Sequence, residues 1–219
     1  MNVLEIAPRL WRWTALHPEW TPEVEADDGW AQEVGCVYLE ADDAVVLIDP
    51  LVPPEDAERF WRALDGDVER AALPVHVLLT IFWHVRSSGE IASRYPGTRI
   101  WAHRPAAELV GRRVAYTDLF DAGDPLPGGV RAIDARRAFE VLFRIPAHRA
   151  LVAGDVLLPD GAGGVRVADE WLGPVDPHDL RAALRDELDV PIERVLVGHG
   201  PPVLANARAA LDAALATPG

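Results

Sequence analysis

One cysteine, Cys36, stands in a chain of 219 residues. No internal disulfide and no thiolate zinc cage can form from it, so any metal site must be built from His, Asp and Glu. Positive charge is also scarce. Lys and Arg number 21 against 35 Asp and Glu, a net charge of -14, which excludes a nucleic-acid footprint made from a diffuse basic surface. Long apolar runs are missing too. Met1 to Trp20 is broken by Glu5, Pro8, Arg9, Arg12, His17 and Pro18 and holds no signal-peptide core. The longest run, around Val75 to Val85, is too short for a bilayer and contains two histidines. The expectation is a cytoplasmic, soluble chain with neither nucleic acid nor a membrane as partner. No Gly-x-Ser-x-Gly elbow is present, and Gly161-Ala-Gly-Gly164 precedes the strand-like Val165-Arg-Val167 rather than a helix. Serine-hydrolase and nucleotide chemistry therefore lack their motifs.

What is present is globular composition, 49% hydrophobic and 26% charged, with no Ser, Gly or Pro linker. A single domain over 1–219 is expected. Buried strands are expected at Cys36–Leu39, Ala44–Ile48, Val75–Leu79, Arg99–Ala102, Phe139–Phe143, Ala150–Ala153 and Arg194–Val197. Helical patterns lie between several of them. Ala57, Phe60, Trp61 and Leu64 repeat at i, i+3, i+4, i+7 behind Pro53-Pro54; Ser87 and Glu90 form a capping-box pair; Asp176-Pro177 opens a third helix; an alanine-rich helix spans about Val203 to Ala216.

Four of the apolar runs end abruptly in a polar residue and a turn: Ile48 before Asp49, Leu79 before Thr80 and His84, Ala153 before Gly154-Asp155, Val197 before Gly198-His199-Gly200. Ligands gather at the carboxyl ends of strands in α/β proteins, so these ends are the candidate site. Other histidines lack such company: His103 reads as a cap before Arg104-Pro105, His148 as a solvent-facing turn residue, and His17, His76 and His178 as isolated. Cys36 reads as a core thiol.

The order of these pieces resembles the metallo-β-lactamase superfamily: Val46-Leu-Ile-Asp-Pro50, Val77-Leu-Leu-Thr80, Leu151-Val-Ala-Gly-Asp155 and Val195-Leu-Val-Gly-His-Gly200, spread over about Leu10 to Pro202. The resemblance implies an α/β, four-layer αββα sandwich with the site at one edge between two sheets. It also implies a two-metal loop, Thr-His-x-His-x-Asp-His, and here the chain departs. Ile81, Trp83, Val85 and Arg86 occupy the ligand positions of that loop, and Arg136 falls on the next histidine. Only Asp155 and His199 remain of the set, with His84 at a non-ligand position that a one-residue slip would turn inward.

Three readings follow. In the first, no cofactor is bound, and the cleft of Trp83, His84, Arg86, Arg136, Asp155 and His199 serves a binding or structural role. Trp83 plugs the old metal pocket, and the arginines pair with Asp155 or take a small anionic ligand. In the second, His84, Asp155 and His199 hold one zinc, manganese or iron ion, and the protein hydrolyses an ester, thioester or phosphoester. A third is metal-free general acid–base catalysis, with His199 titrating near neutral pH beside Asp155. Trp11, Trp13, Trp20 and Trp30 cluster early in the chain. Exposed, they make a partner or homo-oligomer surface; buried, they form a lid over the sandwich edge.

Overall fold

The computed structural model describes residues 1–23 and 30–216. The apolar runs fold into a sheet of β1 (Asn2–Ala7), β2 (Leu10–Leu16), β3 (Glu33–Glu40), β4 (Val45–Ile48), β5 (Val75–Leu78), β6 (Arg99–His103) and β7 (Asp118–Phe120), in that spatial order. Strands β1 to β4 pair antiparallel and β4 to β7 parallel. Parallel neighbours need crossovers. Helices α1 (Ala57–Ala71), α2 (Ser88–Arg94) and α3 (Ala107–Gly111) lie in these connections. A second sheet contains β8 (Arg131–Asp134), β9 (Val141–Ile145), β10 (Ala150–Ala153) and β13 (Arg194–Val197), ordered β13-β10-β9-β8 with β10 and β13 parallel. A small hairpin, β11 (Leu157–Pro159) and β12 (Val165–Val167), and helices α4 (Pro177–Glu187) and α5 (Ala207–Leu215) complete the described elements used below.

Alternation along the strands builds the layers. Val46 and Ile48 of β4, Leu78 of β5, Val152 of β10 and Leu196 of β13 meet in one core between the sheets. Val45, Leu47 and Val77 point the other way, onto Phe60 and Leu64 of α1, Ile91 of α2 and Val110 of α3. Leu151, Ala153, Val195 and Val197 face Leu180 and Leu184 of α4 and Leu211 and Leu215 of α5. The result is the expected αββα sandwich. No helix among the described residues is long and apolar enough to cross a membrane.

Several local expectations are corrected. Ser87 precedes α2 but does not cap it, because its hydroxyl accepts the Val52 N–H at 3.0 Å. The last helix starts at Ala207, not Val203, since Val203 exchanges two backbone hydrogen bonds with Val195. The strand expected from Phe139 starts at Val141, and Phe139 itself is left-handed at φ 66°. His103 stacks on Phe120 and makes no cap bond, and His148 is half-buried. Asp176 caps α4 as expected, accepting from the N–H groups of His178 and Asp179. The tryptophans divide: Trp13 is core, its indole N–H on the Leu51 carbonyl, whereas Trp30 packs edge-on against His199.

The carboxyl ends of β10 and β13 meet the end of β5 because two glycines let them. A Cβ on Gly154 would sit 2.7 Å from Thr80 Oγ1 and 2.9 Å from Glu140 Oε1, and one on Gly198 3.1 Å from the Gly154 carbonyl. Gly66 of α1 faces open space. Gly154→Ala is therefore expected to lower unfolding free energy by roughly 1–3 kcal/mol, and Gly66→Ala to raise it by about 0.5–1 kcal/mol. Urea midpoints of the two variants check this, and equal shifts would contradict the packing described.

Candidate metal centre

Four strand ends supply the site. Asp49 follows β4, His84 lies in the short 3-10 turn Phe82–Val85 beyond β5, Asp155 follows β10 and His199 follows β13; all four are buried. Asp49 adopts φ 50°, which Asp tolerates better than most residues. Its Oδ1 accepts the Thr80 N–H at 2.9 Å, and its Oδ2 accepts the Thr80 hydroxyl at 2.5 Å and lies 2.9 Å from His84 Nδ1. A carboxylate can only accept, so the proton of His84 Nδ1 goes to Asp49. The imidazole is thereby oriented with Nε2 facing inward, the arrangement that carboxylate partners impose on metal-ligating histidines.

His84 Nε2 lies 3.3 Å and His199 Nε2 3.4 Å from the same atom, Asp155 Oδ1. Those three atoms all lie within 4.8 Å of one another. Ligand atoms of a tetrahedral ion with bonds of about 2.0–2.1 Å stand roughly 3.3–3.4 Å apart, which the two distances to Asp155 Oδ1 match. The hydrogen-bond census agrees: Asp155 Oδ1 is buried and has no hydrogen-bond partner. Its other oxygen is taken, by the Trp83 indole N–H at 2.6 Å and by Arg137 Nη1 at 3.6 Å.

Burial pushes Asp155 up, but His84 and His199 outweigh it and hold the carboxyl well below its ordinary range. Burial and Arg86 push His84 down, and Asp155 and Asp49 outweigh them and raise it. His199 is lowered by burial. The geometry and these directions agree on a place for positive charge, a proton or a metal ion, between the two imidazoles and Asp155.

Arg137 and Glu140 frame this centre and were not singled out from the sequence. Glu140 is fully buried; Oε1 accepts the N–H groups of Asp155 and Val156 at 2.7 and 2.8 Å, and Oε2 accepts Arg137 Nη1 at 2.6 Å. Burial and the charge of Asp155 push its carboxyl up to about 7. A lone acid inside the apolar run Phe139-Glu-Val-Leu-Phe143 was the available signal. Arg136 is not in the cleft. It turns outward at φ 59° and pairs with Asp134 and Glu187 on the surface. The two left-handed residues of this loop, Arg136 and Phe139, are both exposed.

Trp83 does not plug the pocket. Its N–H is tied to Asp155, its ring lies against the Arg137 guanidinium, and it forms a wall. The cleft that remains, about 430 Å³, is also lined by His17, Trp30, Arg86, Arg113 and Trp171. Arg86 does not pair with Asp155; its Nη1 donates to the carbonyls of Gly35 and Asp49 at 3.3 and 3.1 Å. Cys36 is buried, which raises its thiol, in keeping with a core residue. A further group, Asp176, His178 and Asp179, is exposed at the start of α4.

No family model matches the sequence, and no curated protein does. Solved structures do. A metallo-β-lactamase from Pontibacter korlensis superposes with a TM-score of 0.70 at 16% identity, covering 98% of each chain. The metallo-β-lactamase FIM-1 from Pseudomonas aeruginosa, in its mono-zinc form, gives 0.69 at 12% identity over 98% of this chain and 92% of that one. A flavodiiron core from Synechocystis gives 0.69 at 16%, over 98% of this chain and 59% of that one. The chain has the metallo-β-lactamase fold.

His17 offers a titration check. Burial, helped by Arg86, lowers its imidazole to about 4. The unfolded chain takes that proton near 6.5, so acidification from about 6.5 towards 4 removes stability through this residue, and above 6.5 the effect is absent. Ring resonances in NMR are expected to titrate near pH 4; a midpoint near 6.5 would contradict the burial.

Proposed function

We propose that this chain of metallo-β-lactamase fold is a hydrolase that works with one metal ion held by His84, Asp155 and His199, cleaving an ester, thioester or phosphoester. The observation that carries the reading is the convergence of His84 Nε2 and His199 Nε2 on the buried Asp155 Oδ1, at distances of 3.3 and 3.4 Å. Two imidazoles and one carboxylate suit zinc, manganese or iron. Such an ion supplies Lewis acidity, polarising a carbonyl or phosphoryl oxygen and making water acidic near neutral pH.

The protein's own groups do the rest. Asp49 and Thr80 fix the His84 ring, and Trp30 and Trp171 stand edge-on to His199, shielding it from bulk water. Trp83 and Arg137 occupy Asp155 Oδ2, so the carboxylate has one oxygen to offer and a fixed guanidinium stands on its far side. Like charge there disfavours a second ion. One ion per chain is the stoichiometry this supports.

A metal-free binding role is favoured by the position of His84 between Asp49 and Asp155, where a proton on its ring would balance the buried carboxylates unaided. Native mass spectrometry with zinc, manganese or iron separates the two. The hydrolytic reading expects one ion per chain, lost in His199→Ala together with turnover of nitrophenyl ester, thioester or phosphoester substrates, and bound about 10–100-fold more weakly in Asp49→Asn. No bound ion would leave the metal-free role, and two ions would contradict the capping of Asp155.

A further inference from the structure

We infer that the substrate of this cleft is an anion whose carboxylate or phosphate group is held by Arg86 and Arg113, with its apolar body against Trp30 and Trp171. The inference rests on the hydrolytic reading for the reaction but not for the binding, since two guanidinium groups need no metal to take an anion.

The chain has no lysine and a net charge of -14, so its fixed cations are all guanidinium groups in an excess of acid. Many of them pair with carboxylates, as Arg94 does with Asp65, Arg104 with Asp121 and Arg166 with Glu170, while others, such as the exposed Arg62, Arg131 and Arg185, have no carboxylate at ion-pair distance among the described residues. In the cleft, Arg137 is likewise balanced by Glu140 and Asp155. Of the three arginines that line the cleft, Arg86 and Arg113 are the two with no carboxylate within ion-pair distance among the described residues.

Arg86 is nevertheless held in place. Arg86 Nη1 donates to two main-chain carbonyls, of Gly35 and Asp49, and its own backbone is left-handed at φ 36°. Carbonyls fix a guanidinium without cancelling its charge. Arg113 rests over the Phe82 ring at 5.9 Å, a contact that also leaves the charge whole. Two guanidinium groups beside a candidate catalytic centre, one fixed by main-chain carbonyls and neither paired with a carboxylate among the described residues, are suited to a planar carboxylate or a phosphate, which guanidinium binds through paired N–H donors.

The remainder of the lining limits what the anion is attached to. Trp30 and Trp171 flank His199 with their rings, and the cleft volume of about 430 Å³ is that of a small-molecule site rather than a macromolecular groove. Among the described residues, the acids that line the cleft are Glu19, which is exposed, and Asp155, already paired with Arg137. Neither cancels the two arginines.

The test is binding of sodium benzoate, inorganic phosphate and neutral benzamide to the EDTA-treated full chain, followed by NMR. Expected is saturable binding of one anion, weakened about 10-fold or more in Arg113→Gln and in Arg86→Gln, and unchanged in Arg104→Gln, with benzamide much weaker than benzoate. Benzoate alone marks a carboxylate substrate, phosphate alone a phosphate ester. Binding of neither anion, or binding that Arg113→Gln leaves intact, overturns the inference; Arg113 is exposed, so that variant keeps the fold even if Arg86→Gln does not. Anion binding without metal-dependent turnover would sink the hydrolytic reading and leave this one standing.

Discussion

An ionised carboxylate removed from water must be met by positive charge or by donors, or it does not stay ionised. Asp155, 4% exposed, is that group here, and the surroundings are organised about its two oxygens. One is met by Trp83 and Arg137. The other faces two imidazole nitrogens without a hydrogen bond. Glu140 repeats the problem beside it and meets it in part, with two amides on one oxygen and Arg137 on the other, while burial and Asp155 keep its carboxyl raised; the same bonds pin the loop that carries Asp155.

The fold makes this concentration of charge possible. Parallel pairing of β4 with β5 and of β10 with β13 places four strand ends on one edge of the sandwich. Gly154 and Gly198 remove the side chains that would hold those ends apart. Asp49 then reaches Thr80 and His84 across the end of the first sheet, and a Gly35 N–H bond to the Gly198 carbonyl joins the two sheets beside the site. Stability and site geometry thus depend on the same close approach.

The layers were legible in the sequence because strands buried on both faces read as continuous apolar runs, and such runs at 44–48, 75–79, 150–153 and 194–197 became β4, β5, β10 and β13. His84, Asp155 and His199 were legible as polar breaks at the ends of those runs. What surrounds them was not. A single left-handed residue reverses which neighbour points inward, so the exchange of Arg136 for Arg137 depends on φ angles that no residue type announces. Ser87 carried a capping pattern but met a nearer donor, Val52, from another part of the chain. Arg113 and Trp171 reach the cleft from separate connections, and nothing in their local sequence marks that meeting.

The most direct measurement is anomalous scattering from crystals grown with zinc. The predicted result is a single ion about 2.0–2.2 Å from His84 Nε2, His199 Nε2 and Asp155 Oδ1, with Asp49 still bonded to His84 Nδ1. Zinc absent from these three atoms, or present only at the exposed Asp176, His178 and Asp179 group, would contradict a metal centre at the strand ends.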